Sequence, residues 1–189
     1  MPHTQKVFKK PVPEIILVQA YPKHPRMDYI IEKAVELGIQ AIFPVITERS
    51  IVQPVQQEAR QKQIRWQKKV KEAAKQSGAL WFPEIFAPHP LNDILSIIKD
   101  QKSVIITGVL RKELPTLYEE TLKIGDATPL PEKIYLMIGP EGDFTEKELE
   151  ALSRAGSVFV QFGTPILRTD TAALFGLSVL ASAFPRQFL

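Results

Sequence analysis

Residues 134–152 read IYLMIGPEGDFTEKELEAL, an apolar run that stops at Gly139-Pro140-Glu141-Gly142 and gives way at once to a helix signal. Thr145 followed by Glu148 is a T-x-x-E capping box, so the spacing predicts a helix starting close behind Gly142. Gly156 is placed to end it. Glycines at 139 and 142 allow the backbone positive φ or close approach to a ligand. A second junction follows at residues 162–177, FGTPILRTDTAALFGL. There Gly163 and Pro165 shape a loop, and Thr169 or Asp170 is expected to cap the last helix. Two such loops at the carboxyl ends of parallel strands would line one crevice, where open α/β sheets bind ligands. Each loop taken alone is equally an economical turn.

Working outward, apolar strand-like runs recur as EIILVQA, QAIFPVIT, SVIITGV, KIYLMI and SVFVQFG. Amphipathic segments lie between them: Met27, Ile30, Ile31 and Ala34, closed by Gly38; Leu91, Ile94, Leu95 and Ile98; then Leu114 and Leu117. Alternation of the two periodicities predicts an α/β domain with a mostly parallel sheet and helices on both faces. Lys123–Glu132, with Gly125, Pro129 and Pro131, reads as a loop. From Thr171 to Phe184 the chain carries no charge. A helix with no polar stripe is expected to be covered on several sides, by its own sheet and by a second copy, with Ala172, Ala173, Gly176 and Ser178 allowing close approach.

The 189 residues, 44% hydrophobic and 24% charged, suit one domain with a sizeable core. No run of eighteen apolar residues exists, and the N-terminus MPHTQKVFKKPVPE lacks a signal-peptide core. A cytoplasmic protein without membrane association is the simplest reading. Zero cysteines exclude disulfides, a thiol nucleophile and a thiolate metal site. No G-x-G-x-x-G, P-loop or G-x-S-x-G is present. His3, His24 and His89 are scattered among prolines, so no metal centre is expected. What remains is a site of backbone and apolar atoms with Arg168 and Glu141 beside it, suited to a small, partly apolar ligand.

The formal net charge of +3 is unevenly spread: RQKQIRWQKKVKEAAK, residues 60–75, holds seven Lys or Arg against one Glu. Trp66, Val70, Ala73 and Ala74 recur at helical spacing, which puts Arg65, Lys68 and Lys69 on the outer face. Such a face is either simply solvated or a contact for phosphates.

These motifs carry a resemblance. GPEGDF with T-x-x-E, then FGTPILRTDTA, is similar to the paired C-terminal motifs of the RsmE family, the uracil-N3 methyltransferases of 16S (small-subunit) ribosomal RNA. MDYIIEKAVELGIQAIFPVITERS and RWQKKVKEAAKQSG resemble that family's upstream blocks, so the likeness runs from about residue 14 to 184. It implies a SPOUT-type fold with a C-terminal trefoil knot, a homodimer, S-adenosylmethionine as methyl donor, and ribosomal RNA or the small ribosomal subunit as partner. Periodicity shows no knot, and general topology rules count against one. Asp143 stands where the family has glycine, Asp170 where it has Glu, and Ala79 where it often has Arg. The family usually carries an N-terminal PUA-like RNA-binding domain, and the roughly dozen residues before the first strand are expected to be too few to form one. Residues 1–13 are expected to be an extension and 14–189 the methyltransferase domain.

The resemblance also implies a site. Gly139, Gly142 and Gly163 would let the knot loops fold around a bent cofactor. Main-chain groups near Ile138, Ile166 and Leu167 would hold its adenine, with Glu141 and Thr171 nearby. Uracil N3 must lose a proton on methylation, and no histidine is placed to take it. Arg168 is expected to stabilise the developing anion, unless it packs against Asp170 or a partner subunit. Glu141 is a weaker candidate base. Arg49, Arg65, Lys68 and Lys69 are the RNA-contact candidates. A non-catalytic RNA-binding or assembly protein on this scaffold, or a methyltransferase with another RNA target, stays open.

Overall fold

Five apolar runs alternating with amphipathic segments can bury both kinds of surface only if the strands form a sheet and the helices cover it. The computed structural model shows that arrangement, describing residues 11–22, 26–50, 56–98 and 100–184. His3 and His24 lie outside the described residues. In chain order the elements are β1 (Glu14–Ala20), α1 (Arg26–Glu36), β2 (Ala41–Ile46), α2 (Gln56–Ser77), β3 (Glu84–Ile85), β4 (His89–Pro90) and α3 (Leu91–Ile98). They continue with β5 (Ser103–Gly108), α4 (Leu117–Gly125), β6 (Lys133–Ile138), α5 (Glu146–Arg154), β7 (Val158–Val160) and α6 (Thr169–Ala183).

The seven-stranded sheet runs β3-β2-β1-β6-β5-β7, with β4 also beside β2, and its strands pair in parallel throughout the described residues. Because side chains alternate across a strand, Ile15 and Leu17 of β1 join α1, α2, α4 and α6 in one core. Ile16 and Val18 join α3 and α5 in the other. On β6, Ile134, Leu136 and Ile138 face the first core, and Tyr135 and Met137 the second. Each such side chain stabilises the fold by roughly 1.5–3 kcal/mol relative to exposure. Among the described residues no helix is long and apolar enough to cross a membrane.

Several boundaries differ from the sequence reading. The helix signalled by Leu114 and Leu117 begins at Leu117, behind a capping box of Thr116 and Glu119. The backbone N–H of Thr116 holds the Glu119 carboxyl below the usual range. That helix continues to Gly125, so the loop assigned to Lys123–Glu132 starts later. The two-residue strands β3 and β4 are too short for any periodicity.

Two expectations for α6 are corrected. Neither Thr169 nor Asp170 caps it: Arg168 occupies the N-cap with no side-chain bond to the helix. Gly176 and Ala173 face the chain's own core, not a second copy. A Cβ on Gly176 would stand 2.7 Å from Leu136 Cδ2, so glycine lets α6 lie close against β6.

Candidate functional site

Parallel strands bring all their carboxyl ends to one edge, and three loops converge there. They follow β5 (Gly108–Lys112), β6 (Ile138–Asp143) and β7 (Gln161–Thr169), and enclose a cavity of about 300 Å³. Its apolar wall is Val109, Leu110, Ile138, Ile166 and Leu167, with main chain of Gly139, Pro140 and Gly163. The crevice expected from two junctions therefore exists, with a third side that the motifs did not announce. Gly108 was its signal: it too ends an apolar run, and a Cβ there would meet Phe162 Cζ at 2.7 Å.

The β6 loop is held from every direction. The N–H of Asp143 bonds to Pro140 O at 3.0 Å, closing a turn. Asp143 itself takes the left-handed φ of 61°, which Asp tolerates better than most residues. Gly139 and Gly142 do not adopt positive φ; they leave room instead. A Cβ on Gly139 would stand 3.1 Å from Phe144, and one on Gly142 3.3 Å from Arg49 Cδ. One Asp143 oxygen accepts the Phe144 N–H at 2.8 Å and the other the Leu110 N–H at 3.1 Å, tying this loop to the one after β5. The Arg49 guanidinium donates to Gly142 O, and Arg26 pairs with Glu141 at 3.0 Å. Behind the loop, Thr145 and Glu148 form the expected capping box, and Glu148 also accepts the Glu48 N–H at 2.9 Å. Helix α5 ends with Gly156 at φ 81°, where N–H groups of Gly156 and Ser157 reach Ser153 O and Leu152 O. That is the pattern of a Schellman stop.

The β7 loop turns through Gly163 at φ 83°, then meets α6. Thr169 Oγ1 donates to Gly139 O at 2.8 Å and accepts from Gln19 Nε2 at 2.9 Å, joining β1, β6 and α6 at one point. Gln19 is fully buried, a feature no motif announced. Arg168 lines the cavity, with Nε 3.8 Å from Asp170 Oδ1 and a largely exposed side chain.

Of the candidate cofactor residues, Ile138, Gly139, Glu141, Gly163, Ile166 and Leu167 line the cavity together with Arg168; Gly142 and Thr171 do not. Gly142 instead acts through its carbonyl on Arg49, and Thr171 is exposed on α6. The RNA-contact candidates divide. Arg65 pairs with Asp28 at 2.7 Å and Lys69 with Glu32 at 3.1 Å, both on α1, and Arg49 serves the β6 loop. Lys68 points into solvent. Among the described residues no cluster of three His, Cys, Asp or Glu could hold a metal ion.

Residues 9–181 match the RNA methyltransferase domain family. The chain is 30% identical over 177 residues to the ribosomal RNA small subunit methyltransferase E of Bacillus subtilis (strain 168), covering 89% of this chain and 65% of that protein. It is 34% identical over 168 residues to the Synechocystis protein of the same name, covering 89% and 52%. The chain thus spans about half to two thirds of these relatives' length. Its fold superposes with a TM-score of 0.79 on the Neisseria gonorrhoeae ribosomal RNA small subunit methyltransferase E bound to S-adenosyl methionine. That pair shares 30% identity, over 93% of this chain and 68% of the other.

Proposed function

This chain belongs to the RNA methyltransferase domain family whose curated relatives are named ribosomal RNA small subunit methyltransferase E, and on that premise we propose that it methylates N3 of a uridine in 16S ribosomal RNA. The observation that carries the proposal is the three-loop cavity at the carboxyl edge of the sheet, with its apolar and main-chain wall. That wall fits S-adenosylmethionine, an adenosine joined to a flexible amino-acid tail. Ile138, Ile166 and Leu167 would flank the adenine, while main chain at Gly163, whose Cβ position is open, leaves room for close approach. When bound, the cofactor supplies an electrophilic methyl group on a sulfonium, with the neutral thioether as leaving group.

The chain's own contribution is orientation and charge. Nucleophile, methyl carbon and sulfur must lie nearly in line, which rigid loops secure better than mobile ones. The bonds from Asp143, Arg49 and Thr169 provide that rigidity. Uracil N3 gives up its proton ahead of forming the bond to the methyl carbon, so negative charge develops on the ring until the transferred methyl, with its sulfur leaving as the neutral thioether, cancels it. Arg168, at the cavity, stabilises that charge, its guanidinium 3.8 Å from Asp170 Oδ1 and beyond hydrogen-bond reach of it. Glu141 lines the cavity and is the candidate acceptor for the N3 proton, a weak one since Arg26 already holds one of its oxygens.

The proposal includes the trefoil threading of the C-terminal segment, a homodimer, a cytoplasmic site of action, and residues 14–189 as the methyltransferase unit. Asp143 does not favour a non-catalytic alternative, because it completes the turn without blocking the cavity. The test is incubation of the chain and S-adenosylmethionine with small ribosomal subunits from a strain lacking this methylation. Mass spectrometry should find 3-methyluridine in the 16S RNA. Absence of methyl transfer, with no S-adenosylhomocysteine binding by calorimetry, would establish the non-catalytic alternative instead.

A further inference from the structure

Helix α2 carries seven Lys or Arg against two Glu, a charge of +5 that exceeds the whole chain's +3. The fold splits these cations into two sets. Lys62, Arg65 and Lys69, spaced i, i+3 and i+7, face α1 and the end of β1. Lys62 donates to the Tyr21 hydroxyl at 2.8 Å, and Arg65 and Lys69 pair with Asp28 and Glu32. Arg60, Lys68, Lys71 and Lys75 are exposed and have no carboxylate partner among the described residues. They form one outward stripe, extending roughly 22 Å at 1.5 Å per residue. Unpaired like charges along one face repel one another, so the stripe gains most from a polyanion.

A second observation places the start of that stripe. Arg60 lines another cavity, with Gln63 and His89, at the carboxyl ends of β2 and β4. In a parallel sheet this is the same edge that carries the candidate methyl-transfer site, so the stripe begins at the active edge and runs away from it.

We infer that the outer face of α2, through Arg60, Lys68, Lys71 and Lys75, is an RNA-backbone contact surface that holds the substrate strand leading to the methyl-transfer cavity. The inference rests on the RNA-substrate reading above and deepens it. Arg60, Lys71 and Lys75 join Lys68 in this surface, while Arg65 and Lys69 carry ion pairs to α1 that a phosphate would have to compete with. Phosphate contacts release counterions, so each contributes about 0.7 to the salt slope of single-stranded RNA binding.

The test compares two variants of equal net charge. One carries Arg60→Gln, Lys68→Gln, Lys71→Gln and Lys75→Gln. The other carries Lys102→Gln, Lys123→Gln, Lys147→Gln and Arg154→Gln, exposed cations on other elements. Binding of a fluorescein-labelled single-stranded 16S RNA fragment is followed by anisotropy across a salt series. The α2 variant should lose about 3 from the slope of log K against log salt, and the control should keep the wild-type slope. Equal slopes in both variants would overturn the inference, as would tighter binding of wild-type protein to anionic lipid vesicles than to the RNA. S-adenosylhomocysteine calorimetry on the same proteins separates the two readings. Retained cofactor binding with equal slopes removes only the α2 surface, whereas loss of cofactor binding in the wild type removes the methyltransferase reading.

Discussion

The carboxylate of Asp143 accepts the backbone N–H of Leu110 at 3.1 Å, joining the loop after β6 to the loop after β5 in the cavity wall. Its other oxygen accepts the Phe144 N–H at 2.8 Å, so one side chain satisfies two backbone donors from a left-handed residue. Asp143→Ala removes both acceptors and keeps the strained φ. Chemical denaturation should show a loss of about 1–3 kcal/mol, and calorimetry weaker S-adenosylhomocysteine binding. Asp143→Asn keeps the acceptor for the Phe144 N–H and tolerates left-handed geometry, but sets its NH2 against the Leu110 N–H, so it should fall between wild type and Asp143→Ala. An Ala variant as stable as wild type would show that the latch contributes nothing.

Arg49 makes the neighbouring contact, donating to Gly142 O with Asp143 O at 3.5 Å. A guanidinium engaged on a loop carbonyl is a positioning group first. Arg49→Ala should therefore lower cofactor affinity several-fold and leave the RNA salt slope nearly unchanged. A variant with intact cofactor binding and a flattened slope would return Arg49 to direct RNA contact.

Gly163 stands at φ 83°, and a Cβ placed on it would meet nothing within 4 Å, so any cost of a side chain comes from the backbone and not from a clash. Valine is among the residues least able to adopt positive φ. Gly163→Val should shift the loop after β7 and weaken S-adenosylhomocysteine binding at least tenfold, a change of about 1.4 kcal/mol. The global unfolding midpoint should move little, because the loop is exposed. Unchanged affinity would remove Gly163 from the cofactor site.

Much of this site was legible because strand ends and helix starts have strong local signatures. Glycines ending apolar runs, the Thr145–Glu148 box and the Leu/Ile periodicities each depend on residues close in sequence. What escaped depends on distant partners. Asp28 and Glu32 pair with Arg65 and Lys69 across the α1–α2 contact, partners that the periodicity of α2 alone does not announce. Gln19 meets Thr169 across 150 positions, and Gly176 meets Leu136 across the sheet. No periodicity in one helix or strand reports which other element packs against it.

The oligomer gives the last prediction. On α6 the outward row is Thr171, Phe175, Ser178 and Ser182, all without charge. Ser178 and Ser182 donate to the carbonyls four residues earlier at 2.7 Å each, so their hydroxyls ask little of solvent. Phe175 is 42% exposed, with its ring centroid 5.7 Å from that of Phe162, and Ile166, which lines the same cavity as Phe162, is 74% exposed. Together these present an apolar face beside the three-loop cavity, which a two-fold partner would cover. Leu177 and Leu180 cannot test this, since both are buried in the chain's own core; an Asp at either would unfold the domain. Phe175→Glu is the informative change. Light scattering should give twice the 21.3 kDa chain mass for wild type and the single mass for the variant, with circular dichroism unchanged. A wild-type protein that is monomeric at micromolar concentration would refute the dimer, and a Phe175→Glu protein that stays dimeric would move the interface off this face of α6.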